Sequence, residues 1–197
     1  MAEIITPQNW YAVYVRSRYE KKVYQALLER EVNSFLPLYE TIRQWSDRKK
    51  KVSEPLFRGY VFVNIAMQQE SIKVLDTEGV VKFIGIGRKP SVIAEREIEW
   101  LKKLVREPEA ISRTVASLPA GQKVRVIAGP FKDMEGVVVK EGRESQIVIY
   151  FDSIMQGVEV SIYPDLLQPI GKERQPLPTH SSEDELVSVE KHLLRVS

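Results

Sequence analysis

The sequence contains no cysteine. Disulfides, thiolate metal sites and cysteine nucleophiles are therefore excluded. Its two histidines, His180 and His192, both fall in the C-terminal tail, so a histidine general base or metal cluster inside a folded domain is excluded too. Lone serines without a histidine do not make a hydrolase. Glu95, Glu97 and Glu99 are not paired catalytic carboxylates either, because residues two apart on a helix do not share a face; they read as solvated charges and helix-start acids. No apolar run approaches the roughly 20 residues needed to cross a bilayer. The opening MAEIITPQNW lacks the basic-then-apolar pattern of a secretory leader. The expectation is a cytoplasmic, non-enzymatic protein with no cofactor, no metal and no membrane attachment.

The remaining composition is that of a globular protein, 43% hydrophobic and 28% charged. Its net charge of +2 hides an asymmetry. Residues 1–113 carry 20 Lys and Arg against 15 Asp and Glu, whereas residues 114–197 carry 9 against 12. A basic front and a mildly acidic back point to two modules with different partners.

The front half alternates element types. WYAVYV (Trp10 to Val15) is a short, aromatic and β-branched run, hence a buried strand. Ser17 three residues before Glu20 has capping-box spacing and predicts a helix to about Glu31. NSFLPLYET reads as a strand near an edge because of Pro37, and IRQWSDRKKKVSEP as a charged hairpin tip. YVFVNI is a third strand, QQESIKVLDTEG a helix stopped at Gly79, and VVKFIGI a fourth strand. AEREIEWLKKLVRE is a helix with Ile98, Leu101 and Val105 inward and charges matching its dipole. The order predicts an α+β sandwich, helices flanking a small antiparallel sheet. Between Pro108 and Pro119 periodicity stops. Beyond it KVRVIA, EGVVVKE, QIVIYF and VEVSIY, separated by turn residues, predict a small β-barrel. Its Val- and Ile-rich strands and intact turns favour a stable β form.

Four pieces in order, WYAVYVRSRYEKKV, PLFRGYVFV, GVVKFIG and GQKVRVIAGPFKDMEGVV, resemble the NusG family of transcription elongation factors. The resemblance covers nearly all of residues 9–170. It implies an N-terminal NusG domain (8–107), a linker (108–117), an SH3-like KOW β-barrel (118–170) and a tail (171–197) that is disordered apart from a short helix near its end. The VSEPLFRGYVFV stretch and the long charged hairpin are similar to the specialised, RfaH-like operon-linked antiterminators. The resemblance implies a monomer that grips the clamp helices of the RNA polymerase largest subunit, suppressing pausing and termination in selected operons. Phe57 then matches the family's pocket aromatic, and Trp10, Tyr11 and Tyr60 fall on neighbouring positions; Arg58 replaces a proline at the rim. Read from residues alone, Phe57 is either the first core residue of its strand or a surface anchor on the stiff Pro55–Gly59 turn. With the resemblance the anchor reading leads: its loss should weaken polymerase binding and leave the thermal melt nearly unchanged.

Two basic clusters suit phosphate contact with base stacking on a single strand. Arg16, Arg18, Lys21 and Lys22 crowd the first strand–helix junction, and Arg43, Arg48, Lys49, Lys50 and Lys51 crowd the hairpin beside Trp45. The resemblance implies that the junction meets the non-template DNA strand. The threonine-rich run that RfaH presents to a second polymerase contact has no match in SIKVLDTEGV. In the barrel, Phe131 reads as a plug. The SIMQG loop, with Ile154 and Met155, matches the loop through which housekeeping members meet Rho or ribosomal protein S10. Methionine in place of an aromatic there disfavours Rho and leaves ribosomal protein S10 a candidate. Two alternatives stay open: a housekeeping NusG coupling polymerase to Rho and the ribosome, and a KOW-type ribosome-associated RNA-binding protein.

Overall fold

The computed structural model describes residues 6–45, 48–87, 89–117 and 119–171. The expected tail beyond Gly171, with both histidines, lies outside the described residues. Strand β1 (Asn9–Val15) pairs antiparallel with β5 (Tyr60–Ile65) on one side and β6 (Val80–Phe83) on the other. Adding β2 (Ser34–Phe35) gives the order β2-β5-β1-β6. Period-two alternation splits these strands between two cores. Trp10, Ala12 and Phe62 face one; Tyr11, Val13, Val15, Val61, Val63 and Ile65 face the other. Helices α1 (Glu20–Glu29) and α2 (Met67–Leu75) close the second core with Val23, Leu27 and Val74. Helix α3 (Glu95–Leu104) closes the first with Ile98, Leu101 and Leu104. Val105, expected inward, stands at the helix C-cap and packs half-buried against this core, and Leu104, not singled out from the sequence, is fully buried in it.

Pro37, which lacks an amide donor, divides the second expected strand. Its first part is β2; its second is β3 (Leu38–Gln44), which forms a separate two-stranded ribbon with β4 (Lys49–Pro55). The charged hairpin is thus an arm independent of the main sheet. The capping box does not form. Helix α1 has Tyr19 at its N-cap and no side-chain cap, because Arg18 turns the chain through a left-handed conformation (φ 65°) just before it. Glu20, only 7% exposed, accepts a hydrogen bond from the Gly59 amide at 2.8 Å instead. One carboxylate thereby holds the turn that carries Phe57. Gly59 is required there: its φ is +80°, and an added Cβ would lie 2.9 Å from the Tyr14 ring. Glu20→Ala leaves the buried Gly59 amide without its partner and is expected to cost about 1–3 kcal/mol, measured by urea unfolding.

A second β unit follows, formed by β10 (Lys123–Val126), β11 (Glu135–Lys140), β12 (Ser145–Phe151), β13 (Gln156–Ile162) and β14 (Leu167–Pro169). Small β7 (Gly85–Ile86) and β8 (Lys89–Pro90) form a ribbon in the first unit. The segment expected as a linker is partly a strand. β9 (Ile111–Val115) adds to the edge of β13, giving the order β14-β10-β11-β12-β13-β9. Arg113 sits opposite Glu159 and its Nε donates to that nearly buried carboxylate at 2.9 Å. Alternation is weak in ISRTV, where only the pairing edge of β13 makes a strand.

Candidate functional site

Phe57 sits where α1, the hairpin base and β5 converge, between Leu56, which donates its amide to the Pro37 carbonyl at 2.8 Å, and the turn held by Glu20. Its ring is not at the surface. It is 2% exposed and packs edge-on against Phe151, at the end of β12, with centroids 5.8 Å apart. Tyr60 meets Phe57 at 6.5 Å and Trp100 of α3 meets Phe151 at 6.5 Å. The surface-anchor expectation is corrected: Phe57 is a buried core residue, the alternative that the residues alone had left open, and Phe151 of the second β unit is among the side chains that cover it. Loss of Phe57 must therefore cost stability as well, on the order of 3–5 kcal/mol for a buried Phe→Ala in a fully packed site.

Polar contacts rim the aromatic contact. Ser153, in the single 3-10 turn after β12, donates its hydroxyl to Glu97 Oε2 at 2.5 Å. Glu97 is thus an acceptor for a residue of the second β unit rather than a solvated charge; only folding brings residues 56 apart together. Burial pushes the Tyr60 phenol above its usual range, an effect partly offset by a hydrogen bond from Gln156. Of the expected barrel contact residues, Phe131 and Ile154 are buried, whereas Met155 is 60% exposed in a left-handed conformation (φ 51°). The loop 151–156 thus lies against Phe57 with Met155 on its outside.

Trp10 and Tyr11 do not line one pocket. Adjacent on β1, they point to opposite faces, and Trp10 lies in the core shared with Phe57 while Tyr11 packs with Phe83 in the other. Arg58 lines one open cleft, of about 460 Å3, together with Phe57 and Tyr60, and lies 3.6 Å from Glu54. With Ser17, Arg18, Lys21 and the acids Glu20 and Glu54 it lines a second open cleft of about 550 Å3. Lys21 Nζ donates to the Ser53 carbonyl at 2.7 Å and so ties α1 to the hairpin base. Arg16 is exposed nearby. Lys22 pairs with Glu78 at 2.9 Å, which holds the Glu78 carboxyl below and the lysine above their ordinary ranges. On the hairpin, Arg43 stands opposite Lys50 in register, its side chain outside the described residues. Lys50 lies over the half-exposed Trp45 ring at 5.7 Å, Lys51 lies 4.0 Å from Glu40, and Lys49 and Arg48 are exposed. The Lys21–Ser53 contact joins the junction to the hairpin base, and the exposed bases of both clusters face solvent.

The comparisons with known proteins agree with this architecture. The family described as NusG, transcription termination factor nusG, matches residues 8–102. A transcription termination/antitermination protein NusG of Pseudomonas aeruginosa is 33% identical over 142 residues, covering 66% of this chain and 80% of its own length. The protein so named in Staphylococcus carnosus is 30% identical, covering 78% of this chain and 98% of its own length. The chain belongs to the NusG family. A solved structure described as "Domain interaction in Thermotoga maritima NusG" superposes with a TM-score of 0.55 at 25% identity, covering 83% of this chain and 98% of that one. Among the residues that position the site of this NusG-family chain, sequence reasoning missed Glu20, Trp100, Phe151, Ser153 and Gln156. Their roles depend on contacts across the fold. The one local signal was Phe151 itself, a large aromatic closing an apolar strand.

Proposed function

We propose that this chain is a transcription elongation and antitermination factor that binds RNA polymerase through Phe57 and its surroundings, and that the described structure is its closed, self-masked form. The single observation behind this reading is the Phe57–Phe151 contact. An aromatic mounted on a glycine turn, backed by a buried carboxylate and covered by a separate unit, is an anchor with a removable cover. The second unit is a KOW-type barrel in this reading, and loop 151–156 is both cover and partner loop, so each unit masks the other. Polymerase binding selects the open population; every 1.4 kcal/mol of docking lowers apparent affinity about tenfold. No helix among the described residues is long and apolar enough to cross a membrane, and action in the cytoplasm is part of the proposal.

The basic cleft of Arg18, Lys21 and Arg58, continued by Arg16 and the Lys49–Lys51 arm, is proposed to follow the phosphates of the displaced DNA strand, with Trp45 as a stacking platform. Affinity for a single-stranded oligonucleotide should then fall steeply with salt. Neutralising about four phosphates on a single strand predicts a log–log slope near −3, and a flat slope in a fluorescence-anisotropy titration would exclude the cleft. Pull-down of purified polymerase core by the full chain, with and without Phe57, tests the main reading.

The names of the relatives favour a second reading, a housekeeping NusG. Exposed Met155 leaves the loop a free apolar tip in the closed form, which adapts to varied partners. Transcription on a template with a pause and a Rho site separates the two: read-through without Rho response fits the specialist, and added Rho-dependent release fits the housekeeping factor.

A further inference from the structure

Between α3 and the second β unit lies a cleft of about 140 Å3. Buried Val137 and Val148 form its floor, and half-buried Trp100 and Tyr150 its walls. The volume is close to the ~150 Å3 cavity that admits a single benzene ring, so the space takes one apolar side chain. Three carboxylates, Glu97, Glu135 and Asp152, stand around it against two bases, Arg96 and Lys123. Glu135 is paired with Arg125 at 2.6 Å. Glu97 accepts the Ser153 hydroxyl and keeps its charge, and exposed Asp152 is the chain neighbour of that serine. Glu97 and Asp152 thus stand close together. Among the described residues neither has an ion-pair partner; Arg96 lies instead over the Trp100 ring at 5.9 Å. The cleft therefore offers an aromatic slot beside two carboxylates that a cation would satisfy.

The chain itself carries a segment of that chemistry, and it starts at the cleft. Ile170 lines the cleft and donates its amide to the Lys123 carbonyl at 2.9 Å. Gly171 then turns the chain with a φ of +86°, a conformation that glycine adopts without strain. Residues 172–180 read KERQPLPTH. Lys172 and Arg174 outweigh Glu173, and Pro176 and Pro178 flank Leu177. Prolines favour the polyproline II helix, whose three residues per turn put Arg174 and Leu177 on one edge, about 9 Å apart. Aromatic-lined grooves receive such segments in a recurrent mode of recognition. Leu177 follows Ile170 by seven residues, about 25 Å of extended chain, so a return over the cleft is within reach. We infer that residues 174–178 fold back over this cleft, with Leu177 between Trp100 and Tyr150 and Arg174 at Asp152 and Glu97. The prolines fix φ beforehand and lower the cost of ordering. Trp100 and Glu97 belong to α3, whereas Tyr150 and Asp152 belong to the second unit, so the segment binds both and stabilises their docked arrangement. The inference rests on no polymerase contact.

The experiment uses the full 15N-labelled chain and reads the Trp100 indole resonance together with backbone order parameters. The Leu177 amide is expected at about 0.85, the value of rigid backbone, where a free tail lies below about 0.6. Leu177→Asp should move the Trp100 indole resonance and bring the order parameters of residues 174, 175 and 177 below about 0.6. Arg174→Glu should do the same. Adding Asp152→Lys to Arg174→Glu reverses the charge pair and should restore the native order; Asp152 is exposed and lies in the turn after β12, so the strands are undisturbed. Lys191→Glu, an equal change of charge outside the segment, should leave both readouts unchanged. A native Leu177 order parameter below about 0.6, a Trp100 indole unmoved by Leu177→Asp, or no rescue by Asp152→Lys would each overturn the inference. So would a native Trp100 resonance that changes on dilution, because the cleft would then be filled by the tail of a second copy.

Discussion

Bridging positions 97 and 153 with a short, reducible bifunctional thiol reagent, in a Glu97→Cys/Ser153→Cys variant, is expected to abolish RNA polymerase binding, and reduction is expected to restore it. The two side chains touch across the unit boundary, so a bridge a few ångströms long spans them without moving backbone. No other thiol competes, since the native chain has none. The bridge leaves Phe57 unaltered but fixed under Phe151, where at 2% exposure it offers no surface to a partner. A linked protein that still binds polymerase as tightly as the reduced form would refute the masked-anchor reading. Binding lost in both oxidised and reduced states would point to damage from the substitutions, and native gel retention of core polymerase reads both.

Opposite effects are expected from two single changes at the same contact. Phe57→Ala should lower polymerase affinity by 2–4 kcal/mol, roughly 30- to 1,000-fold, as for a central aromatic anchor. It should also lower the thermal midpoint, because its ring fills a packed site between two units. Ser153→Glu should do the reverse. It replaces a hydroxyl that donates to Glu97 with a second carboxylate, so the lost bond and the like-charge contact together disfavour docking by about 1–3 kcal/mol. Where the closed form dominates, apparent affinity rises by the matching factor, about fivefold to a hundredfold. The strands of the second unit are untouched, since Ser153 lies in the turn between β12 and β13. Both variants weakening binding would mean that the second unit contributes contacts to polymerase instead of hiding them.

The second β unit also constrains the arm that carries the basic residues. The 3-10 turn Pro108–Ala110 packs near β3, and β9 directly after it is hydrogen-bonded to β13. A run of eight residues, 108–115, therefore ties the hairpin to the edge of the second sheet. Release of that unit should speed amide exchange in β3 and β4 together with that in β9. Measuring exchange in Ser153→Glu tests this, and an unchanged hairpin would mean that the two move independently.

Much of the local structure was legible because it is written in short-range pattern. The alternation of WYAVYV assigns Ala12 and Val13 to opposite faces, as found. The i, i+3 spacing of Ile98 and Leu101 assigns the buried side of α3. The charged arm was readable from its run of lysines. What was not legible depended on partners distant in sequence. Ser17 and Glu20 have the spacing of a capping box, yet a left-handed Arg18 and the Gly59 amide redirected the carboxylate. ISRTV has too little alternation to declare itself a strand until β13 offers an edge. Trp10 and Tyr11 looked like one aromatic patch and are separated by the pleat. Phe57 was singled out with burial as one of its two readings, but the ring that covers it could not be named, because Phe151 comes 94 positions later.

The sequence by itself determined the class of the protein. The two kinds of hydrophobic periodicity separated a mixed front half from a strand-only back half, and the ordered motifs pointed to the NusG family. Whether Phe57 is exposed was decided only by tertiary structure. Periodicity reports which face of an element is apolar, and an apolar face is equally satisfied by its own core, by a neighbouring unit or by a partner. The Phe57–Phe151 packing is one of those solutions, and its free energy against the others is a property of two assembled surfaces that no short window of residues contains.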